Sequence, residues 1–501
     1  MKTTPPPLCH FQSLVLLCLL PFTNIGAFLW CYTALPLHFL DSNWPIWQLS
    51  LLLTLIYVPR LLVLIITRRV GGWFCVPCSC VAVACNVNLY FSPNNIIAVS
   101  FALSTTCAAL NPTAYKGFMH ARFCIAPPST TAAAEATTAT TNNPMPLSLP
   151  AATTTTTNNN NNNTTTNAWT MKRALRIFTF ADTLGYACAP FVGGVLYDNG
   201  GLKACALYAA VLSSMGALLP PLLLPSCRTS FYDCWCTPPN THPNNAKLQG
   251  SKPVSTSATS ATSATSATSA TSSITIGVVM LAVFTNILAY TVEWCLYALY
   301  FRLEYGWSGS WCGFAQMVGD LLGGCVLGLS TMACVQSCAK RCGRPTTESK
   351  GVWFLFRAPF NIGLLALCHG ILHCMLAQPD FYVALLGQIF MGTVYVFFEQ
   401  SLQEMLLLYA FDDPIKYRDY LLLHYLIFTA GCALGSPLAY GLYELSNFAN
   451  AFYVTGLCCF LVGVFLLVYY FRRLSPTTMG IRGGFLLAER ELVQRSVGAT
   501  L

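Results

Sequence analysis

Charged residues are scarce in this sequence. Only 9% of its 501 residues are Asp, Glu, Lys or Arg, whereas 55% are hydrophobic. In an ordinary soluble domain about a quarter of the residues are charged, so the composition excludes a soluble globular protein. The formal net charge is +8, but the basic residues lie in a few gaps between apolar runs. That clustering argues against a continuous basic surface for nucleic acid.

A compact disulfide or metal-binding pattern is also missing. Most of the 25 Cys residues lie inside apolar runs, where Cys acts as a small hydrophobic side chain. His369 and His373 are four residues apart, a spacing that can hold a metal ion, but no Glu follows His369 as in the metalloprotease motif. We therefore predict neither a metal site nor a cofactor.

Long apolar runs dominate the chain. About 20 mostly apolar residues are needed to cross the hydrocarbon layer, and a spanning segment must satisfy its own backbone hydrogen bonds, which makes it a helix. Twelve such runs predict an all-α integral membrane protein. The first six cover residues 11–37, 45–67, 72–92, 94–115, 172–196 and 202–224, and the second six cover residues 274–300, 311–335, 352–376, 381–408, 419–443 and 450–471.

The basic residues predict the orientation of these helices. If the N-terminus is cytosolic, the outward loops hold only Lys203 and Arg302. The other basic residues, apart from Arg60, then fall in cytosolic loops and tails, as the positive-inside rule requires. Both termini are predicted to be cytosolic, and a plasma membrane and an internal membrane both remain open.

Two low-complexity segments interrupt the apolar pattern. One is rich in Thr, Ala, Asn and Pro, and the other repeats Ser-Ala-Thr. Neither carries enough apolar surface to offset chain entropy, so both are predicted to be disordered. The predicted division is 1–122 (helices one to four), 123–168 (disordered insert), 169–226 (helices five and six), 227–273 (disordered linker), 274–472 (helices seven to twelve) and 473–501 (cytosolic tail).

The two sets of six helices share short sequences. The stretch 185–198 begins Gly-Tyr-Ala-Cys-Ala-Pro and ends Leu-Tyr-Asp, and the stretch 431–444 begins Gly-Cys-Ala-Leu-Gly-Ser-Pro and ends Leu-Tyr-Glu. Phe-Thr-Asn-Ile occurs at 22–25 and again at 284–287. Both matches relate one helix to the sixth helix after it. They predict two parallel six-helix repeats, since each copy enters the membrane from the same side.

The fifth helix carries Gly185-x-x-x-Ala189-Pro190-x-x-Gly193-Gly194. Together with the doubled six-helix layout and the polar central linker, this element resembles that of the major facilitator superfamily. The resemblance implies a central cavity lined by the first, fourth, seventh and tenth helices. Small residues of this kind let helices approach closely, and Pro bends the backbone. The predicted structural residues are Gly185, Pro190, Gly193 and Gly194 in the first half and Gly431, Gly435 and Pro437 in the second.

Four uncharged side chains are candidates for binding a substrate. Asn24 and Asn286 lie near the middle of their helices at matching repeat positions. Their amides could bind a solute at the midplane or hydrogen-bond between helices, and both interpretations remain open. Tyr290 and Tyr395 could stack on an organic substrate or pack in the core.

Charged residues inside a membrane are costly and are functional candidates by default. Glu293 and Glu399 fall on the seventh and tenth helices, and Asp182 and Asp320 fall on helices that the resemblance makes neighbours across the halves. We predict that these four carboxyls couple transport to protons or another cation. An ion pair between Asp182 and the basic residues before it is the alternative. Arg60 belongs to the same set of intramembrane charges, and the alternative to a functional role is that its side chain reaches the inner membrane edge.

The leading prediction is a secondary transporter that moves a small organic solute by alternating access, with protons as the candidate coupling ion. Its partners would be the lipid bilayer and the solute, and it would not be an enzyme. Two alternatives are a non-transporting receptor or scaffold with the same fold and an intramembrane acyltransferase that uses His369 or His373 as a base. The sequence does not identify the solute.

Overall fold

A computed structural model describes residues 10–70, 75–110, 161–223, 262–331, 359–410 and 414–474. These residues form helices joined by short turns, and no strand occurs among them. In chain order the helices are α1 (His10–Leu29), α2 (Cys31–Asp41), α3 (Ile46–Val70), α4 (Cys75–Phe91), α5 (Ile96–Ala109), α6 (Asn161–Leu223), α7 (Thr262–Tyr305), α8 (Gly309–Thr331), α9 (Pro359–Leu376), α10 (Phe381–Tyr409), α11 (Pro414–Leu445) and α12 (Phe448–Leu474).

Three of these helices divide the chain differently from the predicted spans. Helices α1 and α2 together form the first span, with a short interruption at Trp30, whose own dihedrals stay helical at φ −54° and ψ −27°. Helix α6 contains the fifth and sixth spans, which meet at Gly201 with φ 62° and ψ −159°. Glycine adopts this positive φ without steric cost, as the predicted turn at this point requires.

The helices α6 and α7 are longer at their N-termini than predicted. Helix α6 begins at Asn161 and α7 at Thr262, inside the two segments that we predicted to be disordered. Extending an existing helix by one residue is far easier than starting a new one, so a polar run can continue a spanning helix outward. The rest of both segments and the predicted tail lie outside the described residues.

Several helices are suited to a bilayer. Long apolar helical segments occur at Ile46–Ile66, Ile177–Leu219, Ile276–Tyr305, Phe381–Leu406, Lys416–Leu445 and Phe448–Tyr469, and shorter ones at Val76–Phe91, Ile96–Ala109 and Phe360–Leu376. Their outer faces are apolar as well. On α3, for example, Leu51, Leu55 and Leu62 are 50%, 45% and 56% exposed. Apolar side chains directed away from the core are what lipid contact requires.

Corresponding helices pack in the same way in the two halves. A Cβ atom added at Gly185 would lie 3.2 Å from Ile25 Cβ, and one added at Gly431 would lie 2.8 Å from Ile287 Cγ2. The repeated Phe-Thr-Asn-Ile stretch of the first or seventh span thus contacts the repeated glycine of the fifth or eleventh. The two matches found in the sequence are therefore the two sides of one helix contact, present in each half.

Glycine also allows the two halves to meet. A Cβ at Gly194 would lie 2.1 Å from the carbonyl oxygen of Gly309, and one at Gly313 would lie 2.3 Å from that of Pro190. Real Cβ atoms do not approach so closely, so these positions on α6 and α8 tolerate no side chain without a backbone shift. Within the second half, Gly435 makes a similar contact, 2.5 Å from Thr291 Cβ.

Candidate functional site

Polar contacts join the two halves at one end of the helices. At the end of the fifth span, the Asp198 carboxylate accepts hydrogen bonds from the backbone N–H groups of Gly309 (3.0 Å) and Ser310 (2.7 Å). It also accepts one from the Ser310 hydroxyl at 2.5 Å. These N–H groups belong to the first turn of α8, where a carboxylate satisfies free donors and complements the helix dipole.

A second set of contacts reinforces this end. Asp41, the last residue of α2, lies 3.9 Å from the Arg302 guanidinium and accepts a hydrogen bond from the Tyr197 hydroxyl at 2.8 Å. Slightly deeper, the hydroxyls of Thr33 and Tyr297 are in hydrogen-bond contact. We call this region the closed end, because side chains of both halves meet across it.

A cavity lies deeper in the molecule, away from the closed end. Its empty volume is about 720 Å³ when the open solvent at its mouth is included. The first half contributes residues of α1, α3 and α6 and Leu110 at the end of α5, and the second half contributes residues of α10 and α11. The polar and charged lining residues include Asn24, Arg60, Asp182, Tyr186, Tyr395 and Glu399. The cavity is therefore walled by both halves, between charged and aromatic side chains.

Arg60 is a cavity residue, and the alternative that its side chain reaches the membrane edge is wrong. Its side chain is only 5% exposed, and the guanidinium carbon lies 5.3 Å from the centre of the Phe428 ring. Helix α3 continues for ten residues after Arg60 to Val70, about 15 Å along the axis. From that depth the side chain lies against the second half, where the Phe428 ring stabilises its charge.

Two predicted carboxyls share this cavity with Arg60. Asp182 lies on the fifth span, and Glu399 lies on α10. Glu399 accepts hydrogen bonds from the Gln403 amide at 2.6 Å and from the His424 ring at 3.3 Å. The side chains of the basic residues before Asp182 lie outside the described part of the chain, so the predicted ion pair stays a prediction.

The other two predicted carboxyls lie outside the cavity, in a buried chain of four polar side chains. The Gln388 amide donates to Glu293 Oε1 at 2.5 Å and to Gln316 Oε1 at 2.6 Å. The Gln316 amide donates in turn to Asp320 at 3.2 Å. We call Glu293, Gln388, Gln316 and Asp320 the glutamine chain. The sequence analysis did not identify the two glutamines, although polar residues in the middle of apolar runs were the available signal.

Asn286 and Tyr290 also lie outside the cavity. The Asn286 amide oxygen is 2.8 Å from His369 Nδ1, and His369 is 3.2 Å from His373. Tyr290 stacks on the His369 ring at 4.0 Å and donates to the Met391 carbonyl at 2.6 Å. These contacts match the packing interpretation of both residues. No group of three potential metal ligands occurs among the described residues.

An aromatic layer separates the cavity from the closed end. Trp294 contacts Tyr186 and Tyr395, with ring centres 6.1 and 5.7 Å apart, and both tyrosines line the cavity. On its other side Trp294 contacts Tyr32 at 5.3 Å. Trp294 of α7 therefore closes the cavity on the side that faces the closed end.

No protein-family profile and no curated protein matches this sequence. Solved structures do match it. The human organic anion transporter MFSD10 is 12% identical with a TM-score of 0.54, and the match covers 93% of this chain and 100% of that one. A POT peptide transporter in complex with sulfate is 13% identical with a TM-score of 0.57, covering 93% and 96%. A POT family transporter in complex with 5-aminolevulinic acid is 12% identical with a TM-score of 0.54, covering 93% and 98%.

The chain has the major facilitator fold. The predicted all-α architecture of twelve spans in two parallel halves is confirmed, and the chain is a multi-pass membrane protein. The expectation drawn from the resemblance holds for three of its four helices. The described lining includes residues of the first, fourth and tenth spans, together with the second, fifth and eleventh, but no residue of α7. Asn286 and Glu293 of α7 instead contact α9 and α10.

Proposed function

We propose that this protein is a secondary transporter that moves a small organic solute across a membrane by alternating access. One observation carries the proposal: a cavity with charged and aromatic walls lies between two repeated halves that also meet across the closed end. A pair of rigid halves around a central site can rock about that site, exposing it to one side at a time.

The contacts at the closed end are of a kind that such a motion could break. The polar ones comprise one helix cap, one ion pair and a few hydroxyl contacts, and they lie beside the glycine packing of α6 against α8. With the N-terminus in the cytosol, as the basic residues predict, the closed end faces outward and the cavity lies on its cytosolic side. The structure then represents a state of the proposed cycle in which the halves are in contact on the outer side.

We further propose that protons couple to this motion through the glutamine chain. Glu293 and Asp320 are 0% and 3% exposed, and a charge at such a position is costly unless it is compensated. Glu293 Oε2 and Gln388 Oε1 are both buried without a hydrogen-bond partner. A proton bound to Glu293 would remove the charge and could supply a donor to one of these oxygens.

Transport is tested by reconstituting the purified protein in lipid vesicles with a mixed pool of small organic solutes. Mass spectrometry then shows which solutes are depleted from the medium. Gly313→Leu should reduce saturable uptake at least tenfold, because its side chain would collide with the Pro190 carbonyl and prevent the closed end from forming. Gly441→Leu is the matched control, since a Cβ there meets no atom within 4 Å. A folded protein without saturable uptake of any solute would contradict the proposal.

Coupling is tested with Glu293→Gln in the same vesicles. We expect this variant to lose accumulation driven by an inward pH gradient, while exchange of labelled for unlabelled solute continues. Glu304→Gln is the matched control, because Glu304 lies on the same helix but is exposed near its end. Normal pH-driven accumulation by Glu293→Gln would exclude this carboxyl as the coupling site.

A further inference from the structure

One donor of Arg60 has no hydrogen-bond partner in the part of the chain that the structure describes. Its Nε atom is buried and has no hydrogen-bond partner, and its guanidinium interacts with the Cys107 thiol and the Phe428 ring. A thiol is a weak acceptor, and an aromatic ring is no substitute for a carboxylate. Among the described residues no carboxylate lies within ion-pair distance of Arg60.

A buried cation of this kind calls for an anion. Removing a guanidinium from water is costly unless a charged or strongly polar partner replaces the water. Planar carboxylates and phosphates fit the guanidinium fork with two parallel hydrogen bonds. Because Arg60 lines the cavity, an anionic group of the solute can supply this partner.

Carboxyl groups also face the cavity. Asp182 and Glu399 line it together with Arg60 and Tyr186. A solute that carries only an anion would be repelled by the two carboxylates, whereas an added ammonium group would be attracted to them.

The remaining lining suits an apolar body. Tyr186, Tyr395, Tyr425, Phe178 and Phe428 all face the cavity. Aromatic walls provide large contact areas and favour flat or branched apolar groups. The pocket thus combines one site for an anion, one region for a cation and an apolar surface.

From this arrangement, and resting on the transport function proposed above, we infer that the solute is amphoteric. It carries a carboxylate that pairs with Arg60, an amine that faces Asp182 and Glu399, and an aromatic or branched apolar body that packs on the tyrosines. Arg60 is then the residue that selects for the anionic group.

The inference is tested by binding to the purified full-length protein, with three amphoteric probes and their singly charged counterparts. The probes are phenylalanine, tryptophan and leucine, and each is compared with the analogue that lacks the amine and the analogue that lacks the carboxylate. At least one amphoteric probe should bind tenfold or more tightly than both of its counterparts. The absence of binding by all three amphoteric probes, or equal binding by a singly charged counterpart, would overturn the inference.

Arg60→Met assigns the anion site. This variant should bind the amphoteric probe at least tenfold more weakly and should no longer prefer it to the amine counterpart. Glu399→Gln provides a second measurement, because removing one negative charge should increase the relative affinity for the counterpart that lacks the amine. Thermal unfolding of each variant shows whether it is folded. Unchanged selectivity in Arg60→Met would overturn the assignment.

These experiments can contradict the inference about the solute and the proposed transport function independently of each other. Charge-selective binding without flux in vesicles would support the inference and contradict the proposed transport. Saturable flux of a singly charged solute that Arg60→Met leaves unchanged would support transport and overturn the inference.

Discussion

The two halves of the molecule share their backbone contacts but not their polar chemistry. Gly185 approaches Ile25 in the first half as Gly431 approaches Ile287 in the second. The asparagine beside each isoleucine, however, has a different environment. Asn24 lines the cavity, whereas the Asn286 amide contacts a histidine outside it.

This difference shows which features a repeat preserves. A glycine contact depends on the position of two backbones, so both copies must keep it for the helices to pack. A polar side chain in the middle of a span has only to find a partner, and different partners are available in each half. The first half supplies Arg60 and Asp182 to the cavity, while the second keeps Glu293 and Asp320 inside its own helix bundle.

Because the two glycine contacts pack alike, substituting either glycine should reduce stability to a similar extent. Gly185→Leu and Gly431→Leu should each lower the free energy of unfolding by about 1–3 kcal/mol or more, since an added side chain overpacks a tight helix contact. Thermal unfolding in detergent measures both variants. Gly441→Leu, with no atom within 4 Å of its Cβ, should cost far less. If one of the two variants unfolds at the wild-type temperature, the halves do not pack alike.

Substitutions of the two asparagines, unlike those of the two glycines, should have different effects in the two halves. Asn286→Ala removes the partner 2.8 Å from His369 Nδ1, so it should reduce stability by about 1–3 kcal/mol. Asn24→Ala should raise the KM of the transported solute several-fold, because Asn24 faces the cavity. Thermal unfolding and uptake kinetics are measured on both variants. A raised KM in Asn286→Ala with unchanged stability would place this residue at the solute site after all.

The sequence was sufficient to predict the architecture. Spans follow from length and hydropathy, and the repeat followed from stretches such as 22–25 and 284–287, whose matches need no knowledge of contacts. The gap between the predicted fifth and sixth spans, at residues 197–201, contains Gly201, where the helix breaks. Each of these features depends on residues close together in the chain or on a direct match between two stretches.

The rotation of each helix about its axis could not be predicted in the same way. In a soluble protein the polar face of a helix identifies the exposed side, but lipid is as apolar as the core. Hydropathy therefore gave no basis for placing Arg60 in the cavity or Glu293 outside it. The resemblance assigned α7 to the lining, yet its buried polar residues Asn286 and Glu293 contact α9 and α10.

The acidic residues at the ends of the two repeated stretches also differ in their contacts. Asp198 caps the first turn of α8 across the closed end, whereas its repeat counterpart Glu444 is exposed. Asp198→Asn should weaken this cap by about 0.5–1 kcal/mol, because the amide keeps an acceptor but loses the charge. Hydrogen exchange at the Gly309 and Ser310 amides should then be about two- to fivefold faster.

Glu444→Gln is the matched control for this change. It should leave exchange at the start of α8 unchanged, because Glu444 lies on α11 in the other half of the repeat. Equal acceleration by both variants would mean that net charge at this end, rather than the Asp198 cap, holds the halves together. Acceleration by Asp198→Asn alone would show that one copy of the repeat has acquired a contact between the halves that the other copy does not make.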